Sequence, residues 1–288
     1  MKQDILAPDF LKKYETKQQE EIVSVPTGLP TLNRICRDDG GGGGFAQGWF
    51  ITMAGNPGFG KSALALNMAS AALNHGTSVG YISLEMSAQQ LATRLYALHT
   101  KSKISKLERG SFSELVWTDA KRAIEGSPPL WVPEKLLSTW QSVVDYCKSC
   151  YDDGCRYFIL DYLQLVNTGD EDAIYRATQR IVTELRAWGV DNQCTIVCLS
   201  QFNRTTSGNY DSTPRSQGLF GGMILEASSD LCLLLDHSRY ERDMNTARTF
   251  LVTAKNRHGP TVEIPIEWDY RTLSVREADP DEEYRWPK

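Results

Sequence analysis

No apolar run among the 288 residues approaches the roughly 20 that a membrane-spanning helix needs. The opening Met1-Lys2-Gln3-Asp4 is not that of a signal peptide. A basic excess is also missing: 31 Lys and Arg against 36 Asp and Glu leave a net charge of −5. The chain therefore carries no global electrostatic footprint for nucleic acid, although an acidic protein that encloses DNA can line a channel with few cations. A disulfide framework is absent as well. Seven cysteines, an odd number, in a long chain without a secretory signal read as reduced thiols. Cys194, Cys198 and Cys232 fall in strand-like apolar runs. The cluster Cys147, Cys150, Cys155 lacks a fourth ligand nearby, so it reads as core rather than zinc. There is no internal repeat. These absences point to a cytoplasmic protein that makes no use of a membrane.

What remains is ordinary for a folded domain, with 41% apolar and 23% charged residues. One stretch organises it. Gly55-Asn56-Pro57-Gly58-Phe59-Gly60-Lys61-Ser62 has the pattern G-x-x-x-x-G-K-S. An apolar run, Trp49 to Ala54, precedes it as a buried strand. Leu64, Met68, Ala71, Ala72 and His75 follow at helical spacing until Gly76. Strand, glycine loop and helix together make a phosphate-binding loop. Its backbone N–H groups, through Ala63, would face phosphate oxygens, aided by the positive end of the helix dipole. Lys61 would reach the β- and γ-phosphates of a nucleotide, and Ser62 would ligate Mg²⁺.

Read in order, residues 1–24 form a polar arm or linker helix with Phe10, Leu11 and Tyr14 as its anchors. Residues 25–275 form the compact domain, and 276–288 an acidic tail carrying Tyr284 and Trp286. Five glycines, Gly40 to Gly44, make a loop ahead of the first strand. Strands are expected at 79–84, 130–132, 157–161, 195–201, 231–235, 249–255, 262–268 and 273–275. Helices are expected near 88–99 (capped by Ser87 and Gln90), 138–151 and 174–188. Residues 202–222, rich in Gly, Ser, Thr and Asn, form a connection longer than a turn requires, which points to function. The alternation predicts an α/β fold: a mostly parallel central sheet, helices on both faces and antiparallel edge strands.

Ligands of such sheets sit beyond the carboxyl ends of the strands. Asp161 ends one strand and suits a carboxylate beside Mg²⁺ and Ser62. Glu85, the first charged group after another, suits a general base. Gln201 ends a third and could sense the γ-phosphate. Lys255 and Arg257, two apart at a strand end, share one side if extended. They read either as a solvated basic end or as groups that stabilise a transferring phosphoryl charge.

These segments together resemble the C-terminal motor domain of DnaB-type hexameric replicative helicases, a RecA-fold P-loop family. The resemblance spans about residues 22–275 in order. Val25-Pro26-Thr27-Gly28-Leu29 resembles the family's opening segment, and Gly55 to Ser62 its Walker A. Ser83-Leu84-Glu85-Met86-Ser87 resembles the segment with the catalytic glutamate, and Asp161-Tyr162-Leu163-Gln164-Leu165 the Walker B. Leu199-Ser200-Gln201-Phe202-Asn203-Arg204 is similar to the sensor, and Lys255-Asn256-Arg257-His258-Gly259-Pro260-Thr261 to the segment that reaches a neighbour's nucleotide.

The resemblance implies a homo-oligomeric ring, usually of six, with ATP between subunits, Glu85 activating water, and Lys255 and Arg257 acting in trans. It implies single-stranded DNA in the centre, with Arg215 and Gly218 as contacts. Arg204 is either a further contact or a structural ion pair. Here the family's glutamate after the arginine is absent and the loop is longer. It also implies partners among primase, polymerase and helicase loader, to which the acidic tail could dock. The family's usual front domain has no counterpart in the 24 residues ahead of the motor. A motor-only chain is more typical of phages and mobile elements, which would place it in a bacterial host's cytoplasm; a motor cut from a longer protein would read the same. The reading from another class is a RecA-fold switch or scaffold, such as a loader or a filament-forming strand-exchange protein, without unwinding.

Overall fold

The computed structural model describes residues 24–37, 43–110, 114, 118, 125–161, 171–201, 222–242 and 246–278. The arm over 1–23, the start of the glycine run, residues 162–165, Arg204, Arg215, Gly218, and Tyr284 and Trp286 lie outside them.

A nine-stranded sheet runs through the centre. In chain order its strands are β3 (Phe50–Ala54), β4 (Val79–Ser83), β5 (Leu130–Trp131), β6 (Tyr157–Asp161), β7 (Thr195–Ser200), β8 (Leu231–Arg242), β9 (Thr246–Asn256), β10 (Glu263–Asp269) and β11 (Ser274–Glu277). A small antiparallel pair, β1 (Ser24–Val25) and β2 (Phe45–Ala46), stands apart. The spatial order is β11-β10-β9-β8-β3-β7-β6-β4-β5. From β8 through β5 every pair is parallel, and β9, β10 and β11 add antiparallel partners at one edge. β3 is therefore central, with β7 and β8 beside it.

The helices are α1 (Pro30–Cys36), α2 (Lys61–Asn74), α3 (Ala88–Thr100), α4 (Ile104–Glu108), α5 (Trp140–Asp152), α6 (Glu171–Asp191) and α7 (Gly222–Ser228). They cover both faces, and β3 shows how. Its five residues are all buried. Ile51 and Met53 face one core with Leu64, Met68, Leu91 and Leu32, whereas Phe50 and Ala54 face the other with Val143, Ile181, Leu185 and Leu225. Side chains alternate along a strand, so a strand buried on both faces reads as a continuous apolar run. That is why β3, β4, β6 and β7 were visible in the sequence.

The seven cysteines are free and buried. Burial pushes the Cys36 thiol up to about 12 and the Cys150 thiol up to about 11, as expected of inert core groups. Among the described residues no group of three or more His, Cys, Asp or Glu could hold a metal. No described helix is long and apolar enough to cross a membrane.

Several elements depart from expectation. α7 starts at Gly222, inside the stretch read as loop. The β8–β9 ribbon runs on to Arg242 and from Thr246, well past the apolar segments. β11 continues through Glu277, two residues into the stretch read as tail. Arg276 pairs with Glu267 at 2.6 Å and the Glu277 carboxylate accepts the Thr31 amide at 2.7 Å, so the tail's first residues belong to the sheet.

Candidate nucleotide-binding site

Gly60 is the N-cap of α2 and has φ +86. A Cβ there would meet the Trp268 ring at 2.7 Å, so both backbone and space require glycine. Gly58 (φ +78) is also left-handed but opens to solvent. The N-terminus of α2 has no side-chain cap and no acidic residue in its first turn. α3 and α5, by contrast, both begin with complete capping boxes. The amides of Lys61, Ser62 and Ala63 therefore lie in the uncapped first turn, where a helix holds an anion. The Lys61 ammonium donates to the carbonyls of Gly55 and Asn56, each at 2.9 Å, and so spans the mouth of its own loop. Burial lowers its pKa to about 8, against the pull of Asp161 and Glu85.

The neighbouring strand ends bring three more predicted groups to this edge. Asp161 is the last residue of β6 and is 1% exposed. Burial raises its pKa, opposed by the Ser62 and Tyr81 side chains, while Glu85 adds to the rise and Lys61 opposes it. The Tyr81 hydroxyl donates to Asp161 Oδ2 at 3.0 Å. Asp161 Oδ1 is buried with no hydrogen-bond partner. A buried carboxylate oxygen left unsatisfied beside a helix-start serine fits a hard divalent cation, which takes oxygen ligands.

Glu85 is exposed in the turn between β4 and α3. That turn is fixed on both sides: the Leu84 amide donates to the Asp161 carbonyl at 2.7 Å, and the Met86 amide donates to Ser83 Oγ at 2.7 Å. Gln201 follows β7, whose Ser200 pairs in register with Ala54 at the root of the phosphate loop. Gln201 is half-buried. Walker A, Asp161, Glu85 and Gln201 thus lie at one edge of the sheet.

Lys255 and Arg257 do not join them. β9 runs antiparallel to β8, and Cys232, opposite Lys255, is level with Thr52 on β3. Their strand therefore ends at the opposite edge, where β3 begins, roughly 17 Å from the loop for a five-residue strand. Both side chains lie on one side, on the last carbonyls of α7: Arg257 Nη2 donates to Ala227 at 2.7 Å, and Lys255 Nζ donates to Glu226. Arg204, Arg215 and Gly218 are outside the described residues.

Sequence reasoning did not find Tyr81 or Trp268. Tyr81 had a faint signal, since a tyrosine inside a buried strand needs a partner for its hydroxyl. Trp268 contacts the loop only through the strand order.

The sequence profile described as the DnaB-like helicase C-terminal domain matches residues 24–277. The chain belongs to that family. Among curated relatives of this DnaB-like domain, a replicative DNA helicase DnaB of Leifsonia xyli subsp. xyli is 29% identical over 255 residues, 85% of this chain and 54% of that protein. A probable plasmid replicative DNA helicase of Chlamydia muridarum is 30% identical over 269 residues, 91% of this chain and 57% of that protein. The chain thus spans about half the length of the curated relatives it matches. Among solved structures, the ATPase domain of G40P superimposes with a TM-score of 0.79 at 21% identity, covering 97% of this chain and all of that one. A DnaB-like replicative helicase studied for its interactions with primase gives 0.78 at 21% identity, covering 94% of this chain and 68% of that one. At this identity they establish a shared RecA-like fold.

Proposed function

We propose that this DnaB-like domain is the motor of a replicative DNA helicase: an ATP-driven translocase on single-stranded DNA that hydrolyses ATP between the subunits of a ring. One observation carries the reading. The groups suited to binding ATP and activating water sit at one edge of the sheet, and the two cations suited to a transferring phosphoryl group sit at the other. A single chain cannot bring Arg257 to its own Lys61, whereas head-to-tail neighbours in a closed ring can complete each other's sites.

In this reading the amides of the loop through Ala63 cradle the phosphates and Lys61 leaves the Gly55 and Asn56 carbonyls for the β- and γ-oxygens. Ser62 and Asp161 hold Mg²⁺, which neutralises phosphate charge when bound. Glu85, exposed at the mouth, orients water and accepts its proton. Gln201 meets the γ-phosphate and relays its loss to the stretch that follows. Lys255 and Arg257 of the neighbour offset the equatorial charge of a loose transition state. The 202–221 segment, with Arg204, Arg215 and Gly218, holds DNA chiefly at its phosphates. Primase, a polymerase or a loader would engage surfaces beyond this site, the tail included.

The test is unwinding of a forked duplex with ATP and Mg²⁺, beside electron microscopy of the assembly. Strand separation by closed rings, abolished by Lys61→Ala, is expected. Filaments, or ATP-dependent assembly without strand separation, would favour the switch or scaffold reading.

A further inference from the structure

A charge cluster at the base of β8 lies outside the nucleotide site. Asp230 directly precedes β8, and its side chain is 10% exposed. Its Oδ2 accepts the Phe50 amide at 3.0 Å and Arg186 Nη1 at 3.1 Å. Its Oδ1 accepts Arg186 Nη2 and Arg257 Nη1, both at 3.3 Å. The Arg257 amide also donates to the Asp230 carbonyl at 2.9 Å. Three cations meet the last turn of α7: Lys255 on Glu226, Arg257 on Ala227 and Arg186 on the Ser228 carbonyl. These are the carbonyls a helix leaves without internal partners, at its negative end.

The two arginines are held unequally. Arg186 is bidentate and 25% exposed, whereas Arg257 reaches Asp230 through one nitrogen and is 42% exposed. A bidentate, partly buried pair is persistent, and an exposed single contact is weak. Arg257 can thus exchange Asp230 for a phosphoryl oxygen while Arg186 keeps the carboxylate in place. Lys255 is similarly poised, its pKa lowered by burial and by Arg257, with Glu226 and Asp230 opposing.

We propose that Asp230 is a positioning residue for the trans-acting pair. Locked to α6 by Arg186 and to β3 by the Phe50 amide, it fixes the root of the segment bearing Arg257 and aims the guanidinium outward. Its contribution is to a neighbour's hydrolysis, not to its own subunit's nucleotide site. The inference rests on the in-trans reading above.

The experiment uses the full chain carrying Asp230→Asn, which keeps size and an acceptor for Phe50 but removes the charge. Alone, it should lose about 10- to 100-fold in kcat, the scale of a 1 Å misplacement. KM for ATP should stay within about threefold, since the lost interaction is made only in the transition state. Two mixtures of coexpressed chains then decide. Glu85→Ala with Arg257→Ala is the control: each defective chain supplies what the other lacks, so hydrolysis returns. Glu85→Ala with Asp230→Asn should return it equally. Recovery in the control alone would mean that Asp230 damages its own subunit's site and would overturn the inference. No recovery in the control would overturn the in-trans reading itself, and this inference with it. If Asp230→Asn does not fold, Asp230→Glu goes through the same mixtures and must show a loss confined to the neighbour's site.

Discussion

Replacing Tyr81 by Phe removes one oxygen from the interior and nothing else. That oxygen donates to Asp161 Oδ2 at 3.0 Å, and Asp161 Oδ1 has no hydrogen-bond partner. In the variant the buried carboxylate would lose this bond and keep only the Ser62 side chain in its support. A hydrogen bond to a charged group contributes about 1.5–3 kcal/mol. The Asp161 pKa, already raised by burial, should therefore climb further. The sign follows. A carboxyl whose folded pKa exceeds its unfolded value penalises the native state once pH is high enough to ionise it, and the penalty fades on acidification. Tyr81→Phe should thus lower Tm at pH 8 by roughly 4–8 °C, on the scale for a domain of this size, and lower it less at pH 5. In ATP hydrolysis the acid limb of kcat/KM should move to higher pH, because this profile reports the free enzyme. Thermal melts at two pH values and a pH–rate profile measure both. An equal loss of Tm at both pH values, with an unmoved acid limb, would refute the claim that Tyr81 supports the Asp161 carboxylate.

On the alkaline side, kcat/KM for ATP should fall above about pH 8 as Lys61 loses its proton; a profile flat to pH 10 would contradict this. Gly60→Ala should destabilise by about 2–4 kcal/mol in urea titration, from left-handed strain and contact with Trp268. Adding Trp268→Leu should restore about 1 kcal/mol of that loss, and strict additivity would show that the ring is not the obstruction. Arg215→Ala should weaken stimulation by single-stranded DNA and reduce its salt dependence while leaving KM for ATP unchanged. Equal stimulation by DNA would remove Arg215 from the interface.

How much of this was legible depended on the kind of constraint involved. The phosphate loop was readable because Gly60 must be glycine twice over, for φ and for Trp268, and such positions leave a fixed spacing. The parallel strands were readable because burial on both faces forces continuous apolar runs. α1 and α7 were not: each has only seven residues, and the one start signal in α1, Pro30 at its first position, serves a turn equally well. The far ends of β8 and β9 pair with each other along their backbones, so their polar residues gave no period to follow. The location of Lys255 and Arg257 at the opposite edge from the loop depends on β9 running against β8. Sequence spacing carries that direction only weakly. Asp230 was invisible because its four contacts come from α6, β3 and the end of β9, which the strand order alone brings together.

The central claim is an active site shared between subunits and driven by DNA. Its most direct test is ATP hydrolysis with and without single-stranded DNA, for the unmodified chain, Glu85→Ala and Arg257→Ala. The account predicts strong stimulation by DNA in the first and none in either variant. Hydrolysis indifferent to DNA, or untouched by Arg257→Ala, would contradict it.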